Sequence, residues 1–579
     1  MDDQLVQLLL QLERLKLTFN SRSPKQIERL LTRIERVSTP DAESLISLHE
    51  LLLFLRAYPQ SAAIVNKTET LLRDFARRVR EGADREEDLS SLDHPEMSGI
   101  AGRDVVDTFS YYVVSGLVAR YPRQTEFYWE WFEDENRLGE TWPRFMPLLE
   151  EDAFVEANIP FRSWLRAARG AETEVAWLIL RFNHLSIEPA AKAELYDSQK
   201  LYVQWTPPYR VTRTGMRLPA KLRGSTIFYH REPLLQRRDV SFKDELSKPT
   251  PPLERLSKGD GETILNLARD ASTVRYRELY GFTHGDSARV IKVHLGRGVD
   301  LFVTSLLPGV RLPLRAYHAA MIFKNQVPIG YFEGLSLFER MESGFNLYYT
   351  FREGETAWLY AKTLNVMRRL FGVTTFVLDP YQVGFENEEG IESGAFWFYR
   401  KLGFRPTDPR LQKLAEKEEA KIRERKTYRT SAATLRKLAV SPMIFELDSK
   451  REGDWDRFRG REIGFAVQRE MARRFSGDAR KMRSEAVRFA AQLLKTNPLR
   501  LSENEQKIVS DFAVVLLLVP DLEKWSLDER QLLSQIIQAK ASTDEGNYLR
   551  LMQKHDRFRR AVIVLGSGRV STDYADYTD

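Results

Sequence analysis

The sequence contains no cysteine. This absence excludes disulfide bonds, a thiol nucleophile and a cysteine-ligated zinc site, and it is typical of proteins from a reducing compartment. The eight histidines form no HExxH motif and no pair spaced four residues apart, so we expect no metal site. The sequence also lacks a G-x-S-x-G motif and a phosphate-binding P-loop, which argues against hydrolases and nucleoside triphosphatases.

Long apolar runs are missing as well. The longest, from Phe512 to Val519, is too short to cross a bilayer. The first residues, MDDQLVQLLLQLERLKL, start acidic and become amphipathic, without the basic start and cleavage site of a secretory signal. We therefore expect a cytoplasmic protein that does not enter a membrane.

Neither sign of charge is in large excess. The 579 residues include 88 basic and 82 acidic side chains, which leaves a net charge of +6. An aromatic group between Phe127 and Trp142 is interleaved with acids such as Glu130, which would repel phosphate, so core packing is favoured over stacking on bases. We expect no nucleic-acid partner.

A chain of this length is too long for a single core, so several domains are expected. The predicted fold class is α+β, with a central mixed sheet and helices flanked by N- and C-terminal all-helical domains. The predicted divisions are a helical domain over 1–205, a basic, Pro-rich connecting region over 206–261, a domain with the mixed sheet over 262–447 and a helical domain over 448–579. The helical domains offer surfaces for a protein partner.

Helix signals support the two flanking domains. Leu5, Leu8, Leu9 and Leu12 form an apolar stripe near the start. Towards the end, Ser502 with Glu505 and Ser526 with Glu529 match the capping box, in which each pair satisfies two backbone donors. The final residues, STDYADYTD, are expected to fray.

The most informative stretch runs from Val327 to Phe404 and predicts the order strand, strand, helix, strand, helix. Apolar residues recur at helical spacing from Trp358 to Leu370, and Gly372 is a stop signal. Val373–Leu378 is β-branched and apolar without alternation, which is typical of a strand buried in a parallel pair. A strand-helix-strand crossover is therefore expected.

This order of elements, followed by the motif A-x-x-x-Y-x-K-L-G-F, resembles the GNAT superfamily of N-acetyltransferases. Ala395, Tyr399 and the Lys401–Phe404 segment match the motif, and Val327–Gly330 fits the hairpin that precedes the cofactor strand in that family. The resemblance covers about residues 285–447. It implies a mixed sheet that binds an acyl-coenzyme A.

The resemblance also implies where the coenzyme binds. The family loop Q/R-x-x-G-x-G/A corresponds to FREGETA, with Arg352 and Ala357 in place, Gly354 one position early and Glu355 where a glycine is usual. Such a loop holds phosphates through backbone N–H groups and a helix N-terminus. The implied cofactor-binding residues are Leu347, Tyr349, Phe351, Arg352, Gly354, Thr356 and Ala357.

Acyl transfer to an amine requires one group that removes the amine proton and another that protonates the departing thiolate. By resemblance, Tyr399 on the last helix is the acid. Glu333, Glu342 and Tyr349, expected on strands that face this helix, are the candidates for the base. The expected acceptor is a small-molecule or peptide amine, and the donor is acetyl-CoA or another acyl-CoA.

Two alternatives remain at this stage. Glu353 and Glu355 oppose phosphate binding, which favours a degenerate fold that acts as an interaction scaffold, unless Arg352 and its basic neighbours offset them. A transferase that uses aminoacyl-tRNA is disfavoured because those enzymes contain a duplicated fold and only one copy is found here.

Overall fold

The computed structural model describes residues 2–37, 41–132, 135–145, 161–224, 226–425, 427–495 and 500–568. The segment STDYADYTD, predicted to fray, lies outside these ranges. Within them the chain is a mixed α+β structure with one large sheet and extensive helical regions.

The N-terminal region is mostly helical. Its helices are α1 (Asp2–Lys16), α2 (Ser23–Ile34), α3 (Ala42–Ala57), α4 (Ala62–Arg73), α5 (Phe75–Ala83), α6 (Tyr111–Arg120), α7 (Phe161–Ala168), α8 (Glu174–Asn183) and α9 (Pro189–Ser198). Three short strands, β1 (Val105–Asp107), β2 (Thr125–Phe127) and β3 (Val203–Trp205), form a small antiparallel sheet in the order β1-β3-β2. The prediction that this region is all-helical was therefore wrong, because the aromatic segments around Phe127 and Trp205 pair as strands.

The middle of the chain forms the large sheet. Its strands are β4 (Leu253–Arg255), β5 (Ile291–Gly296), β6 (Val299–Ser305), β7 (Ala316–Lys324), β8 (Val327–Leu337), β9 (Arg340–Leu347), β10 (Thr375–Leu378), β11 (Arg405–Pro406) and β12 (Met443–Glu446). The helices of this part are α10 (Phe242–Ser247), α11 (Lys258–Thr273), α12 (Tyr280–Thr283), α13 (Thr356–Phe371), α14 (Glu388–Glu392), α15 (Ala395–Arg400), α16 (Pro409–Glu424) and α17 (Ala432–Leu438).

The nine strands lie in the order β11-β12-β10-β9-β8-β7-β6-β5-β4. Strands β4 to β9 are consecutive antiparallel neighbours, whereas β10 pairs parallel to β9 after the crossover helix α13. The crossover and the parallel pair are as predicted. Gly372 ends α13 in the left-handed conformation, with φ of 72°, and its N–H donates to the Arg368 carbonyl.

The connecting region contributes to this sheet. Leu253–Arg255, predicted to lie in a linker, pairs with β5 at the edge of the sheet. The basic segment before it contains 3₁₀ turns at Tyr209–Val211, Ala220–Leu222 and Arg237–Asp239.

The C-terminal region consists of α18 (Gly460–Phe475), α19 (Ala479–Leu494), α20 (Glu503–Leu516), α21 (Leu527–Ala541), α22 (Glu545–Met552) and α23 (Asp556–Gly566). The capping boxes at Ser502 and Ser526 both form, as predicted. In the described ranges no strand follows β12, and no helix combines the length and apolar character needed to cross a bilayer.

Buried apolar residues form two clusters. The larger one is continuous from Leu5 on α1, through both faces of the large sheet, to Val562 on α23. The smaller one belongs to the region between Val105 and Val203. The sheet therefore shares a core with both flanking helical regions, and its strands are held from both ends of the chain.

His318 on β7 is fully buried in this core. Its ring stacks on Phe371 with a centroid separation of 3.7 Å, and neither ring nitrogen has a hydrogen-bond partner among the described residues. Burial, with smaller contributions from the charges of Lys540 and Arg311, lowers the pKa of His318 from 6.5 to about 3. The folded protein thus holds this histidine neutral at a pH where the unfolded chain protonates it.

This difference predicts that His318→Phe makes the protein more resistant to acid. Because the pKa is lower in the folded state, the stabilising contribution of neutral His318 is complete above pH 6.5 and is lost as the pH falls toward 3. Between pH 7 and 4 the variant should lose about 3 kcal/mol less stability than the native chain. Thermal unfolding at several pH values tests this, with exposed His184→Phe as the control. Parallel pH profiles for the native chain and His318→Phe would contradict it.

Candidate active site

A cleft opens where two neighbouring strands part. Arg340, Met341 and Glu342 of β9 pair with β10, but Ser343–Leu347 continue past the last pair and have β8 as their only partner strand. The cleft at this point has a volume of about 630 Å³. Its lining residues are Arg277, Tyr331, Phe345, Asn346, Leu347, Arg352, Thr356, Tyr381, Gln382, Asn387, Glu389, Gly390, Ser393, Ala395, Phe398 and Tyr399.

The strand register shows that the cleft passes through the sheet. Directly paired residues share a face, so Tyr331 and its partner Asn346 lie on one side. Successive residues alternate between faces, so Phe345 and Leu347 lie on the other side. Both sets line the cleft. We call the Tyr331 side the open face and the other side, which is covered by α13, the helix face.

Tyr399 forms part of the helix-face wall. Its ring packs edge-on against Tyr360 of α13 at a centroid distance of 5.6 Å, and the Tyr360 hydroxyl lies 2.9 Å from Ser343 Oγ of β9. The Tyr399 side chain is buried, yet its hydroxyl has no hydrogen-bond partner among the described residues. Burial raises the pKa of Tyr399 well above its usual value, so the hydroxyl remains protonated.

The two glutamates proposed as bases lie on the open face and do not face the last helix, contrary to prediction. Glu333 pairs with Gly344, and Glu342 pairs with Val377. The Tyr317 hydroxyl donates to Glu333, and burial raises the pKa of this carboxyl although that hydrogen bond lowers it. Neither glutamate lines the cleft. A one-residue shift in register moves every side chain of a strand to the opposite face of the sheet. The sequence pattern alone does not determine that register.

Tyr349, the third candidate, is not on a strand. β9 ends at Leu347, and Tyr349 begins a 3₁₀ turn with 57% of its surface exposed. It lines a second cavity of about 680 Å³ between this turn and helices α1 and α3. It is therefore separated from Tyr399 by the loop that precedes α13.

The residues implied in coenzyme binding fall into two groups. Leu347, Arg352 and Thr356 line the cleft. Phe351 and Ala357 are buried in the core, and Gly354 lies against α3, where a Cβ atom would be 2.3 Å from the Tyr58 hydroxyl. Gly354 thus permits close packing of the loop on the N-terminal region.

The acids of this loop are neutralised. Glu355 is fully buried and accepts hydrogen bonds from Arg297 Nε at 2.8 Å and Lys324 Nζ at 3.2 Å. Burial alone would raise its pKa, but Lys324 and Arg297 outweigh burial and lower the pKa. Glu353 forms an ion pair of 2.5 Å with Lys16 of α1. The two glutamates therefore add little net negative charge at the N-terminus of α13.

Arg352 extends from the loop across the mouth of the cleft. It forms an ion pair with Glu389 of α14, and its Nε donates to the Leu347 carbonyl at 3.3 Å. Residues of the segment from Tyr381 to Ser393, which precedes α15, form this wall of the cleft.

Sequence reasoning missed a polar group on the open face. Arg277 Nη1 lies 3.3 Å from the Tyr331 hydroxyl, which lies 3.0 Å from the Asn346 amide. With its amide oxygen turned toward this group, Asn346 accepts from Arg277 and from Tyr331 at 3.0 Å each. The register of the β8–β9 hairpin, once it is known, places Tyr331 opposite Asn346. No local sequence pattern identifies Arg277.

Comparison of the chain with protein-family models, curated proteins and solved structures finds no match in any of the three. Among the residues that the structure describes, no group of three or more His, Asp or Glu side chains is arranged to hold a metal ion. The chemistry of the cleft therefore has to be argued from its own residues.

The different surroundings of Glu355 and Glu353 predict different effects on stability. Glu355→Gln leaves Lys324 buried without its carboxylate partner and should lower the free energy of unfolding by about 3–5 kcal/mol. Glu353→Gln removes an exposed carboxylate and leaves Lys16 its second ion pair, with Glu13, so it should change the free energy of unfolding by at most about 1 kcal/mol. Denaturant unfolding measures both. Adding Lys324→Met to Glu355→Gln should recover part of the loss, and equal small effects of the two glutamine substitutions would contradict the assignment.

Proposed function

We propose that the protein is a GNAT-like acyltransferase that moves an acetyl or other acyl group from a coenzyme A thioester to an amine. The observation that carries the proposal is the cleft beside β9, beyond its last pair with the parallel strand β10, with Tyr399, whose hydroxyl is unbonded, in its wall. Such a passage lets the donor enter from the helix face and the acceptor from the open face. The resemblance over residues 285–447 supports the same assignment.

The donor fits the helix side of the cleft. The pantetheine would run along Phe345–Phe351, where the β9 edge beyond Glu342 has no strand partner. The pyrophosphate would lie near Gly354–Trp358, at the N-terminus of α13, where unpaired N–H groups carry positive partial charge. Neutralisation of Glu355 and Glu353 removes the electrostatic objection to phosphates at this loop.

The reaction forms an amide bond from the amine nitrogen to the acyl carbon and breaks the carbon–sulfur bond of the thioester. Tyr399 is placed to give its proton to the departing thiolate. The proton that the amine loses would leave through the open face, to solvent or through a water molecule to Glu333, which is hydrogen-bonded to Tyr317, has a raised pKa and does not itself line the cleft.

One observation favours the alternative of a non-catalytic scaffold. The Arg352 guanidinium, which would contact the pyrophosphate, is bound by Glu389. If this ion pair persists in solution, the mouth of the cleft is closed to phosphate.

Donor binding separates the two proposals. We expect acetyl-CoA to give measurable heat in titration calorimetry, Arg352→Gln to weaken binding about 10-fold or more, and Glu389→Gln to keep or strengthen it by freeing the arginine. The pair of variants breaks the same contact from opposite sides, so a purely structural effect would move both alike. No heat and no thermal shift at millimolar acetyl-CoA would favour the scaffold.

The role of Tyr399 predicts a selective loss of turnover. Tyr399→Phe should leave acetyl-CoA binding almost intact and reduce kcat by about 10²–10⁴, because the hydroxyl acts only in the transition state. An amine acceptor must first be found by screening amines, polyamines, aminoglycosides and peptides for thiol release.

Tyr360→Phe is the matched control for this experiment. Its ring touches Tyr399, but its hydroxyl is bonded to Ser343 in the core, so stability should fall by about 1 kcal/mol while turnover remains. Unchanged turnover in Tyr399→Phe would remove this residue from the mechanism.

A further inference from the structure

We propose that the acceptor amine belongs to a molecule that also carries a carboxylate, and that Arg277 binds this carboxylate at the open face of the cleft. The inference rests on the proposed function, because it assigns the substrate class of the same site. Amino acids and related amino carboxylates are the acceptors that fit.

The position of Arg277 is the first argument. It follows α11 in the chain and lines the cleft on the same side as Tyr331 and Asn346. This is the side opposite Tyr399 and α13, where the donor is placed. A group bound by Arg277 therefore belongs to the acceptor.

The hydrogen-bonding capacity of Arg277 is the second argument. Its Nη2 donates to Glu96 at 2.7 Å and its Nη1 approaches the Tyr331 hydroxyl, while its Nε bonds no described residue. The side chain is 31% exposed. The planar guanidinium thus retains donors for a carboxylate, which it can hold with two parallel hydrogen bonds.

The charges around the cleft are the third argument. Arg352 and Glu389, the other charged lining residues, neutralise each other. Glu96 pairs with Arg277 but is not one of the residues that line the cleft. Glu333, an acid on the open face, is bonded to Tyr317. The open-face wall therefore offers the Arg277 guanidinium, the Tyr331 hydroxyl and the Asn346 amide to an acceptor. Together these groups suit an anionic substituent of the acceptor better than a cationic one.

The geometry of the substrate follows from these positions. With its carboxylate on Arg277, the acceptor would direct its amine into the gap between β9 and β10, where the thioester is placed. An amine without the anionic group would lack this anchor and bind in many orientations, so it would react poorly.

Matched ligands and variants test the inference. Amino acids such as L-phenylalanine are compared with their amides, and O-phosphoethanolamine is compared with ethanolamine. Binding to the full-length protein is followed by calorimetry, and turnover is followed by thiol release with acetyl-CoA. The variants are Arg277→Gln, Glu96→Gln and the control Arg255→Gln, an exposed arginine on the edge strand β4.

We expect the native protein to bind and acylate acids at least about 10-fold better than their amides, since one charge-assisted contact is worth this much. Arg277→Gln should abolish this preference, mainly through KM. Glu96→Gln breaks the same ion pair but keeps the cation, so it should retain or increase the preference. Arg255→Gln should behave like the native protein.

The inference would be overturned by equal binding of acids and amides, by a preference that survives in Arg277→Gln, or by a larger preference for O-phosphoethanolamine over ethanolamine than for the amino acids over their amides. Equal losses in Arg277→Gln and Glu96→Gln would also overturn it, because they would show that only the ion pair matters. Acids that bind through Arg277 in a protein that does not bind acetyl-CoA would leave the carboxylate site standing and remove the transferase.

Discussion

The site depends on how far two parallel strands pair. β10 pairs with only three residues of β9, and β9 continues beyond the last of these pairs. A sheet that closed this gap would have no passage between its faces. Because the gap is open, the Tyr399 hydroxyl on one side and the Arg277 group on the other border a single cavity. The remainder of the fold holds the strands on either side of this gap in place.

The N-terminal region packs against the loop between β9 and α13. Thr350 donates to Glu50 of α3, and Tyr58, the residue that follows this helix, packs against Gly354. Burial alone would raise the pKa of Glu50, but Arg213, His49 and Thr350 lower it to about 2, so this carboxylate stays ionised at neutral pH. The beginning of α13 is thus held by contacts with the N-terminal region, which is distant in sequence. It is also held by the ion pairs of Glu355 with Lys324 and Arg297.

Local patterns were sufficient for much of the fold and for part of the site. Helix α13 with its Gly372 stop, the parallel strand β10, both capping boxes and the helix that carries Tyr399 agree with the sequence. The faces of Glu333 and Glu342 could not be predicted, because the β8-β9 turn at Phe338-Glu339 contains no glycine or asparagine, although Phe338 has a φ of 54°. The arginine at position 277 could not be found either, since it reaches the cleft only through the tertiary packing of α11.

That same turn is tied to the far end of the chain. The Glu339 carboxylate, buried at the tip of the hairpin, accepts hydrogen bonds from Trp455 Nε1 at 2.8 Å and Arg559 Nε at 2.7 Å. During synthesis the two strands that border the cleft emerge long before α23 does. Until Arg559 leaves the ribosome, the Glu339 carboxylate lacks one of the donors that satisfy it when it is buried, so the tip of this hairpin is fully hydrogen-bonded only after nearly the whole chain has been made.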